Sequence, residues 1–507
     1  MGSSSKIFSG VLWSVITNVV NAAYGFILIP ILINYFGKAE YGLIGLAQSV
    51  NAYIQLMDMG LTSTNVRFFS NWISKGDYNR VNKLFSTCTA FYGIIGIFNA
   101  LILLIIYFVS DVLFNVTYEQ NIILQHLLLI LAIAAIINWL TSCYNQIIQA
   151  TENVAWTQKR LLYTKLLMVI VLIITILLKL NIETYFLLTI LCNWLILPWV
   201  VKKIKEVANY VSFVPKFSLN TFKEILPYTL NIFSFSIFSF SFQNLRVVFI
   251  GVQGQIESVT DLRIIMGIVG ICSSVCGIFL QVLLPSSSKV IANSDKEGYY
   301  KIAYKGTKYI MLFITFCVFG MISISKDLLL LYVGTDYLYL LPWLILYLVT
   351  LLGNHILGIS SLILAGTDIS ALTKMTAVSS SLGLLFAWYL IPFYEVGGVV
   401  ISIIIYNILQ MFFYYTYYWK KVMNIDSYYI FTRITLPIAL YGSIIALVIY
   451  CIPHFDNSWI NVALFGLSFA TFYGIISYLY LSPDDRAYLY GLIKNNSYAK
   501  NNDKFLS

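Results

Sequence analysis

The stretch "AQSVNAYIQLMDMGLTSTNVRFF", residues 47–69, carries polar side chains at regular intervals in a chain that is mostly apolar. The polar residues recur every three or four positions, which places them in one arc of roughly 100° on a helix. Such a stripe is ordinary on a helix in water and costly on a helix in a membrane. The fold therefore depends on which solvent surrounds this segment. The stripe consists of Gln48, Asn51, Gln55, Asp58, Thr62 and Asn65.

The composition of the whole chain indicates a membrane. Of the 507 residues, 59% are hydrophobic and 10% are charged, and the mean hydropathy is +0.82. Globular chains carry about 25% charged residues. Apolar runs of about 20 residues, enough to cross a bilayer as helices, recur from end to end. We therefore predict an all-α polytopic membrane protein with about 14 transmembrane helices. The predicted spans are about 11–35, 41–66, 85–108, 122–147, 161–179, 184–201, 226–250, 262–285, 308–325, 338–365, 373–392, 396–418, 430–452 and 458–481.

The basic residues predict the orientation of these spans. When the N-terminus is placed in the cytoplasm, nearly all Lys and Arg residues fall on cytoplasmic loops, as the positive-inside rule requires. Lys420 and Lys421, for example, directly follow the aromatic run Tyr414–Trp419. We predict that both termini are cytoplasmic. Because the basic residues are scattered over many loops, nucleic-acid binding is a poor interpretation of the net charge of +9.

The longest connection, at about 202–225, divides the chain after the sixth span. Six is an even number, so two six-helix units would be parallel repeats related by an axis along the membrane normal. Two further C-terminal helices would follow them. The predicted organisation is an N-terminal lobe at 1–205, a cytoplasmic linker at 206–225, a C-terminal lobe at 226–422, helices 13 and 14 at 423–482, and a cytoplasmic tail at 483–507.

The polar stripe of span 2 cannot face lipid cheaply, because buried amides and carboxylates need partners. A single Asn or Gln is best interpreted as a hydrogen bond between packed helices. Six aligned polar residues, one of them ionisable, favour the wall of a water-filled cavity. Asn18 and Asn21 form a similar polar face on span 1, and span 7 adds Asn231 and Asn244.

The charged residues in the spans each have two interpretations. Asp58 either binds H⁺ or Na⁺ or is the buried partner of a basic residue or a helix dipole. Arg246 either binds an anion with its fork or extends to the headgroups. Arg67 lies nine residues from Asp58, about 13 Å along a straight helix and on its opposite side, and extension to the headgroups is favoured. Arg263 with Asp261 favours an interfacial pair.

Chemical motifs point away from catalysis. The seven cysteines include no C-x-x-C pair, which disfavours a metal or redox site. The sequence contains no Walker A loop and no catalytic signature such as G-x-S-x-G or H-E-x-x-H. We therefore predict a protein that is not an enzyme and that needs no cofactor or metal.

The run "YFGKAEYGLIGLAQSVNAYIQLMDMGLTSTNVRFFSNWISKGD", residues 35–77, resembles the first-to-second helix region of Wzx-type polysaccharide flippases. These belong to the polysaccharide transporters of the multidrug/oligosaccharidyl-lipid/polysaccharide exporter superfamily. The matching features are an aromatic-Gly turn, a Tyr-Gly pair, an Asp-x-Gly-Leu block and an Arg nine residues after the Asp. Here these are Phe36-Gly37, Tyr41-Gly42, Asp58-Met59-Gly60-Leu61 and Arg67.

The resemblance implies two six-helix lobes around a central cavity, with alternating access. The implied substrate is an undecaprenyl-pyrophosphate-linked oligosaccharide, moved from the inner to the outer leaflet of the bacterial cytoplasmic membrane. It would serve O-antigen, capsule or exopolysaccharide assembly, with a polysaccharide polymerase and a chain-length regulator as protein partners. The implied cation-rich cavity would bind the pyrophosphate, although this sequence offers few candidates: Arg246, Arg67 and Arg263.

Two other functions remain open from the sequence. A multidrug-type cation-coupled antiporter would need a compact apolar or acidic pocket, whereas the amides of span 2 suit sugar hydroxyls better. A membrane polysaccharide polymerase would need reactive groups on a sizeable external loop, and the predicted external loops are short. The direction of transport would come either from an ion gradient acting at Asp58 or from removal of the product by polymerisation.

Overall fold

In the computed structural model, all regular structure in the described residues is helical. The structure describes residues 3–486 except 59, 293–294, 357–358, 361, 363–369, 454 and 484. The first helices are α1 Ser3–Phe36, α2 Lys38–Ile54, α3 Leu61–Ser74, α4 Tyr78–Leu113, α5 Tyr118–Ala150, α6 Val154–Leu177, α7 Ile182–Leu195, α8 Leu197–Val207, α9 Leu219–Gln253 and α10 Ile256–Ala292. The later helices are α11 Lys296–Lys301, α12 Thr307–Ser323, α13 Ser325–Val333, α14 Leu341–Thr350, α15 Ser370–Tyr394, α16 Val396–Phe413, α17 Ser427–Tyr429, α18 Leu436–Tyr450 and α19 Ser458–Tyr480.

Eleven helical segments within the described residues are long and apolar enough to cross a membrane. They coincide with eleven of the predicted spans, which confirms the all-helical membrane class. The other predicted spans correspond to the pair α2–α3 and to α9 and α10. These last two are helices of 35 and 37 residues whose side chains are described only in part. The total of 14 spans stays a prediction.

The predicted continuous helix over 41–66 is wrong. Helix α2 ends at Ile54, a 3₁₀ turn covers Gln55–Asp58, and α3 begins at Leu61. Gly60 has φ 81° and ψ 10°, a left-handed conformation that costs little only for glycine. The polar stripe is therefore divided between two helices, and the positions that a straight helix would give to Asp58 and Arg67 do not apply.

The described chain forms two compact units. The first comprises Met1–Ile278 and Asp368–Tyr414, and the second comprises Phe279–Thr367 and Tyr415–Ser507. Inside the first unit α4 packs along α5, with Leu84, Phe85 and Tyr92 fully buried in its core. The predicted lobes at 1–205 and 226–422 stay a prediction.

Helices α2 and α10 approach closely within the first unit. A Cβ added at Gly42 would lie 2.5 Å from the carbonyl oxygen of Ile256, so a larger residue there would push the helices apart. Lys38 Nζ lies 2.7 Å from a carboxylate oxygen of Asp261, and Thr260 donates a hydrogen bond of 2.6 Å to the carbonyl oxygen of Lys38. Backbone proximity and a largely buried ion pair thus hold the start of α10 against the start of α2.

In the second unit a carboxylate beyond the last span binds back onto the start of α12. Asp485 is buried, and it accepts hydrogen bonds from Tyr309 at 2.8 Å and Lys308 at 3.0 Å, with Lys305 Nζ at 3.4 Å. Burial raises the pKa of the Asp485 carboxyl, but hydrogen bonds from Ser482, Lys308 and Tyr309 outweigh it and hold the pKa well below its usual range. The ionised form is therefore the one that stabilises this contact.

We expect Asp485→Asn to lower the thermal unfolding temperature of the detergent-solubilised protein at pH 7, with a loss on the order of 1–3 kcal/mol. A lowered folded-state pKa means that the stabilisation is complete above the ordinary carboxyl pKa of about 4 and declines below it. The difference in unfolding temperature between Asp485→Asn and the unsubstituted protein should therefore decrease as the pH falls below about 4.

The control is Glu206→Gln, which removes an exposed carboxylate that pairs with Lys203 on the same helix. Exposed pairs contribute little, so its melting temperature should match that of the unsubstituted protein. Equal melting temperatures for Asp485→Asn and Glu206→Gln would contradict the assignment.

Candidate functional site

Asp58 lies at the break between α2 and α3, and its carboxylate caps the start of α3. Oδ2 accepts a hydrogen bond of 3.1 Å from the backbone N–H of Thr62, and Oδ1 accepts one of 3.1 Å from the Thr62 hydroxyl. The first N–H groups of a helix have no partner within the helix, and the helix dipole favours negative charge there. These contacts explain why an otherwise apolar segment carries an acidic residue at this position.

A buried network connects this cap to α4 and α5. The Tyr92 hydroxyl donates to Asp58 Oδ1 at 2.6 Å. Gln146 Nε2 donates in turn to the Tyr92 hydroxyl at 2.8 Å and to the Thr62 hydroxyl at 3.0 Å. Asn65 Nδ2 donates to Gln146 Oε1 at 2.9 Å. Since Tyr92, Gln146 and Asn65 are all at most 1% exposed, the network fixes the break from inside the unit.

Sequence reasoning found Asp58 and Asn65 but missed Tyr92 and Gln146. These two residues lie 34 and 88 positions from Asp58, on different helices, so no local periodicity connects them with the stripe. A usable local signal was present, because an Asp just before an apolar segment is a candidate helix start, and a nearby Gly is a candidate helix end. That signal indicates a new helix at Leu61 and hence a break in span 2.

A cavity of about 300 Å³ opens beside the break, and we call it the amide cavity. Predicted stripe residues from the break and polar residues from α4 and α5 form most of its wall. Trp139 contributes an aromatic surface. The polar part of the wall consists of Asn51, Gln55, Asp58, Thr62, Asn99, Asn138 and Ser142.

The amide cavity contains one charged side chain and several amides. Asp58 is the sole ionisable carboxylate in the described lining, which includes no Lys, Arg or His. Asn99 is 2% exposed and donates a long hydrogen bond of 3.5 Å to Asn51 Oδ1. Asn99 Oδ1 is buried and has no hydrogen-bond partner among the described residues. The cavity wall is therefore polar, with one carboxylate, no cation in its described lining and a buried amide oxygen that lacks a donor.

Asn18 lines a different cavity, of about 270 Å³, between α1 and α10. Apart from Asn18 and Ser274, its wall is apolar, and we call it the apolar groove. Asn21, the other predicted residue of α1, does not line it. The apolar side chains are Val19, Ala22, Ala23, Phe26, Ile27 and Ile271.

The three predicted arginines do not line the amide cavity. Arg246 is 5% exposed, donates to the carbonyl oxygen of Phe242 at 2.6 Å and lies over the Phe242 ring. Arg67 is exposed and lies 4.2 Å from the centroid of the Tyr228 ring. Both side chains contact aromatic rings, and Arg246 also donates to a carbonyl of its own helix.

Other predicted residues also lie outside both cavities. Arg263 donates to the carbonyl oxygen of Gly45 at 3.2 Å and to Gln48 Oε1 at 3.0 Å, which joins α10 to α2. Asn244 donates to the carbonyl oxygen of Phe240 within α9. The side chain of Asn231 lies outside the described residues.

A family model described as "Polysaccharide biosynthesis protein" matches residues 7–291 of the chain. No curated protein matches its sequence. Among solved structures, the lipid II flippase MurJ in an inward closed conformation is similar, with a TM-score of 0.65 and 16% identity over 92% of this chain and 99% of that chain. A MATE in complex with MaD3S has a TM-score of 0.52 and 16% identity over 89% of this chain and 97% of that chain. These likenesses show that the chain has the MurJ and MATE fold.

We expect Gly60→Ala to cost about 1–2 kcal/mol, because alanine is strained in the left-handed conformation that the break requires. Thermal unfolding in detergent measures this loss. Gly93→Ala is the matched control, since an added Cβ meets nothing within 4 Å in the interior of α4. If Gly60→Ala were as stable as Gly93→Ala, a left-handed Gly60 would be ruled out.

Tyr92→Phe removes the hydroxyl that joins Asp58 to Gln146, and we expect a loss of about 1–3 kcal/mol because buried polar groups lose their partner. The same unfolding measurement applies. Tyr228→Phe, which keeps the ring that lies under Arg67, should change the stability little. An unchanged melting temperature for Tyr92→Phe would show that the network does not hold the break.

Proposed function

Because the chain belongs to the polysaccharide biosynthesis protein family, we propose that it is a flippase for an undecaprenyl-pyrophosphate-linked oligosaccharide. It would move this substrate from the inner to the outer leaflet of the bacterial cytoplasmic membrane. The amide cavity is the observation that carries the proposal. Amides and hydroxyls inside an apolar helical protein give a glycan the hydrogen bonds that the bilayer core lacks.

The apolar groove supports the proposal because it suits the lipid part of the substrate. Its wall of Val19, Ala22, Phe26, Ile27 and Ile271 suits a prenyl chain, which gains nothing from a polar surface. The glycan would occupy polar surface while the chain stays in an apolar environment. The first unit thus offers a surface of the right chemistry for each end of the substrate.

The pyrophosphate would bind to arginine, whose planar fork matches phosphate oxygens. Arg67 is exposed and Arg263 is half-buried, so both are accessible to a headgroup, whereas Arg246 would have to release the carbonyl oxygen of Phe242. Transport would follow alternating access between lobes at 1–205 and 226–422. The product would enter O-antigen, capsule or exopolysaccharide assembly, in contact with a polymerase and a chain-length regulator.

Two driving forces for net transport to the outer leaflet are compatible with the proposal. Binding of H⁺ or Na⁺ at Asp58 would neutralise the cap of α3 and loosen the break, because the helix start then loses its negative partner. Removal of the product by polymerisation would act without any ion. A dependence of flipping on a proton or sodium gradient, lost in Asp58→Asn, distinguishes the first driving force from the second.

Flipping of a fluorescent lipid-linked oligosaccharide in proteoliposomes tests the proposal. We expect the unmodified glycan to reach the far leaflet, and the double variant Asn51→Ala/Gln55→Ala to lower the rate at least about tenfold, because it removes two amides of the cavity wall. The control is Asn193→Ala, an exposed amide on α7 outside the cavity. Insertion and melting temperature are measured for each variant.

Each alternative function gives a different result in this assay. A lengthened glycan would indicate a polymerase. A cation-driven export of small dyes without any flipping would indicate a drug antiporter of the kind whose fold this chain shares. Normal flipping by the double variant would show that the amide cavity is not the transport site.

A further inference from the structure

We propose that the amide cavity selects an uncharged sugar of the substrate and rejects acidic sugars such as uronates. This inference rests on the proposed function and names the substrate class of the same site. The volume of about 300 Å³ lies at the lower end of small-ligand pockets and leaves room for a sugar ring. This volume is too small for a whole oligosaccharide, so the cavity binds one sugar of the glycan.

The wall matches sugar hydroxyls group by group. The lining carries four amide side chains, Asn51, Gln55, Asn99 and Asn138, and a sugar hydroxyl can both donate to and accept from an amide. Asn99 is the buried amide of the lining, and its Oδ1 is shielded from solvent and has no donor among the described residues. A ligand hydroxyl or acetamido N–H would satisfy this acceptor.

Trp139 supplies the apolar side of the cavity. It is 6% exposed, and its ring stacks on that of Tyr92 with centroids 5.6 Å apart. Tyr92 is itself held by Asp58 and Gln146, so the Trp139 ring has a fixed support. A sugar presents C–H groups on one face and hydroxyls at its rim, which suits an aromatic surface beside amides.

The charges in the cavity disfavour an acidic ligand. Asp58 receives three hydrogen bonds, from the Thr62 N–H, the Thr62 hydroxyl and the Tyr92 hydroxyl, an arrangement that suits an acceptor-only carboxylate. The described lining holds no cation to offset it. A uronate in this cavity would therefore face a like charge in a low dielectric.

The sugar and the pyrophosphate of the substrate bind at different places. Arg246, Arg67 and Arg263 all bind outside the amide cavity, to carbonyl groups, an amide or aromatic rings. Two negative phosphates are excluded from the cavity on the same grounds as a uronate. The cavity therefore binds a neutral sugar, and the carrier headgroup lies elsewhere.

The test compares three probes on the full-length protein in nanodiscs. Each probe carries the same short polyprenyl pyrophosphate, linked to N-acetylglucosamine, linked to glucuronic acid, or without a sugar. We expect the N-acetylglucosamine probe to bind at least about tenfold tighter than the glucuronic acid probe. Asn99→Ala should weaken the first probe about tenfold and leave the sugar-free carrier unchanged, whereas Asn193→Ala should change none of them.

A change of charge in the wall tests the selectivity directly. Asn138 is exposed and lines the cavity, so Asn138→Lys adds a cation to the cavity wall, and the melting temperature of this variant is measured beside its binding. We expect Asn138→Lys to bind the glucuronic acid probe more tightly than the N-acetylglucosamine probe. Asp58→Asn should reduce the difference in affinity between these two probes. Equal binding of the two sugar probes, unaffected by Asn138→Lys and Asn99→Ala, would overturn the inference while flipping remained intact. Absence of binding and flipping for all three probes would overturn the proposed function as well.

Discussion

The capping of α3 by Asp58 is the interaction on which the rest of the site depends. A helix that restarts within an apolar bundle exposes backbone N–H groups that lipid cannot satisfy. The carboxylate of Asp58 satisfies one of them, and Tyr92 and Gln146 hold that carboxylate in place. The amide cavity opens beside this break.

The sequence predicts the class of the fold well, because a membrane imposes a strong local constraint. Every spanning helix must be apolar over about 20 residues, and a run of that length is visible without any knowledge of its neighbours. Eleven predicted spans correspond to such helices in the described chain. The break at Asp58 and Gly60 escaped this reasoning, because two short helices can carry the hydrophobicity and the periodicity of one long helix.

The site was predicted only in part, for a related reason. Asn51, Gln55 and Asp58 line one cavity, but they do so from the end of α2 and the turn after it rather than from the straight helix that the periodicity assumed. The opposite wall, with Asn99 and Asn138, comes from α4 and α5 and depends on how the helices pack. Arginines are harder still to place, because their long side chains find carbonyl groups and aromatic rings near their own backbone. Arg246, which donates to a carbonyl of its own helix, is an example.

Helix α10 contacts α2 at its start and forms one wall of the apolar groove further along, so a movement of α10 affects both cavities of the first unit. Its start is held against α2 by the close approach at Gly42 and by the ion pair between Lys38 and Asp261, while Ile271 and Ser274, further along the same helix, form one wall of the apolar groove. Asp261 and Ile271 are ten residues apart, about 15 Å on a helix. A rigid movement of α10 away from α1 would widen the groove either by breaking its contacts with α2, which include this ion pair and the hydrogen bonds of Thr260 and Arg263, or by drawing α2 along with it. Since α2 ends at the turn that carries Gln55 and Asp58, the second course would pull on the wall of the amide cavity. Under the proposed function, the surface suited to the lipid and the surface suited to the sugar are thus linked through α10 and α2.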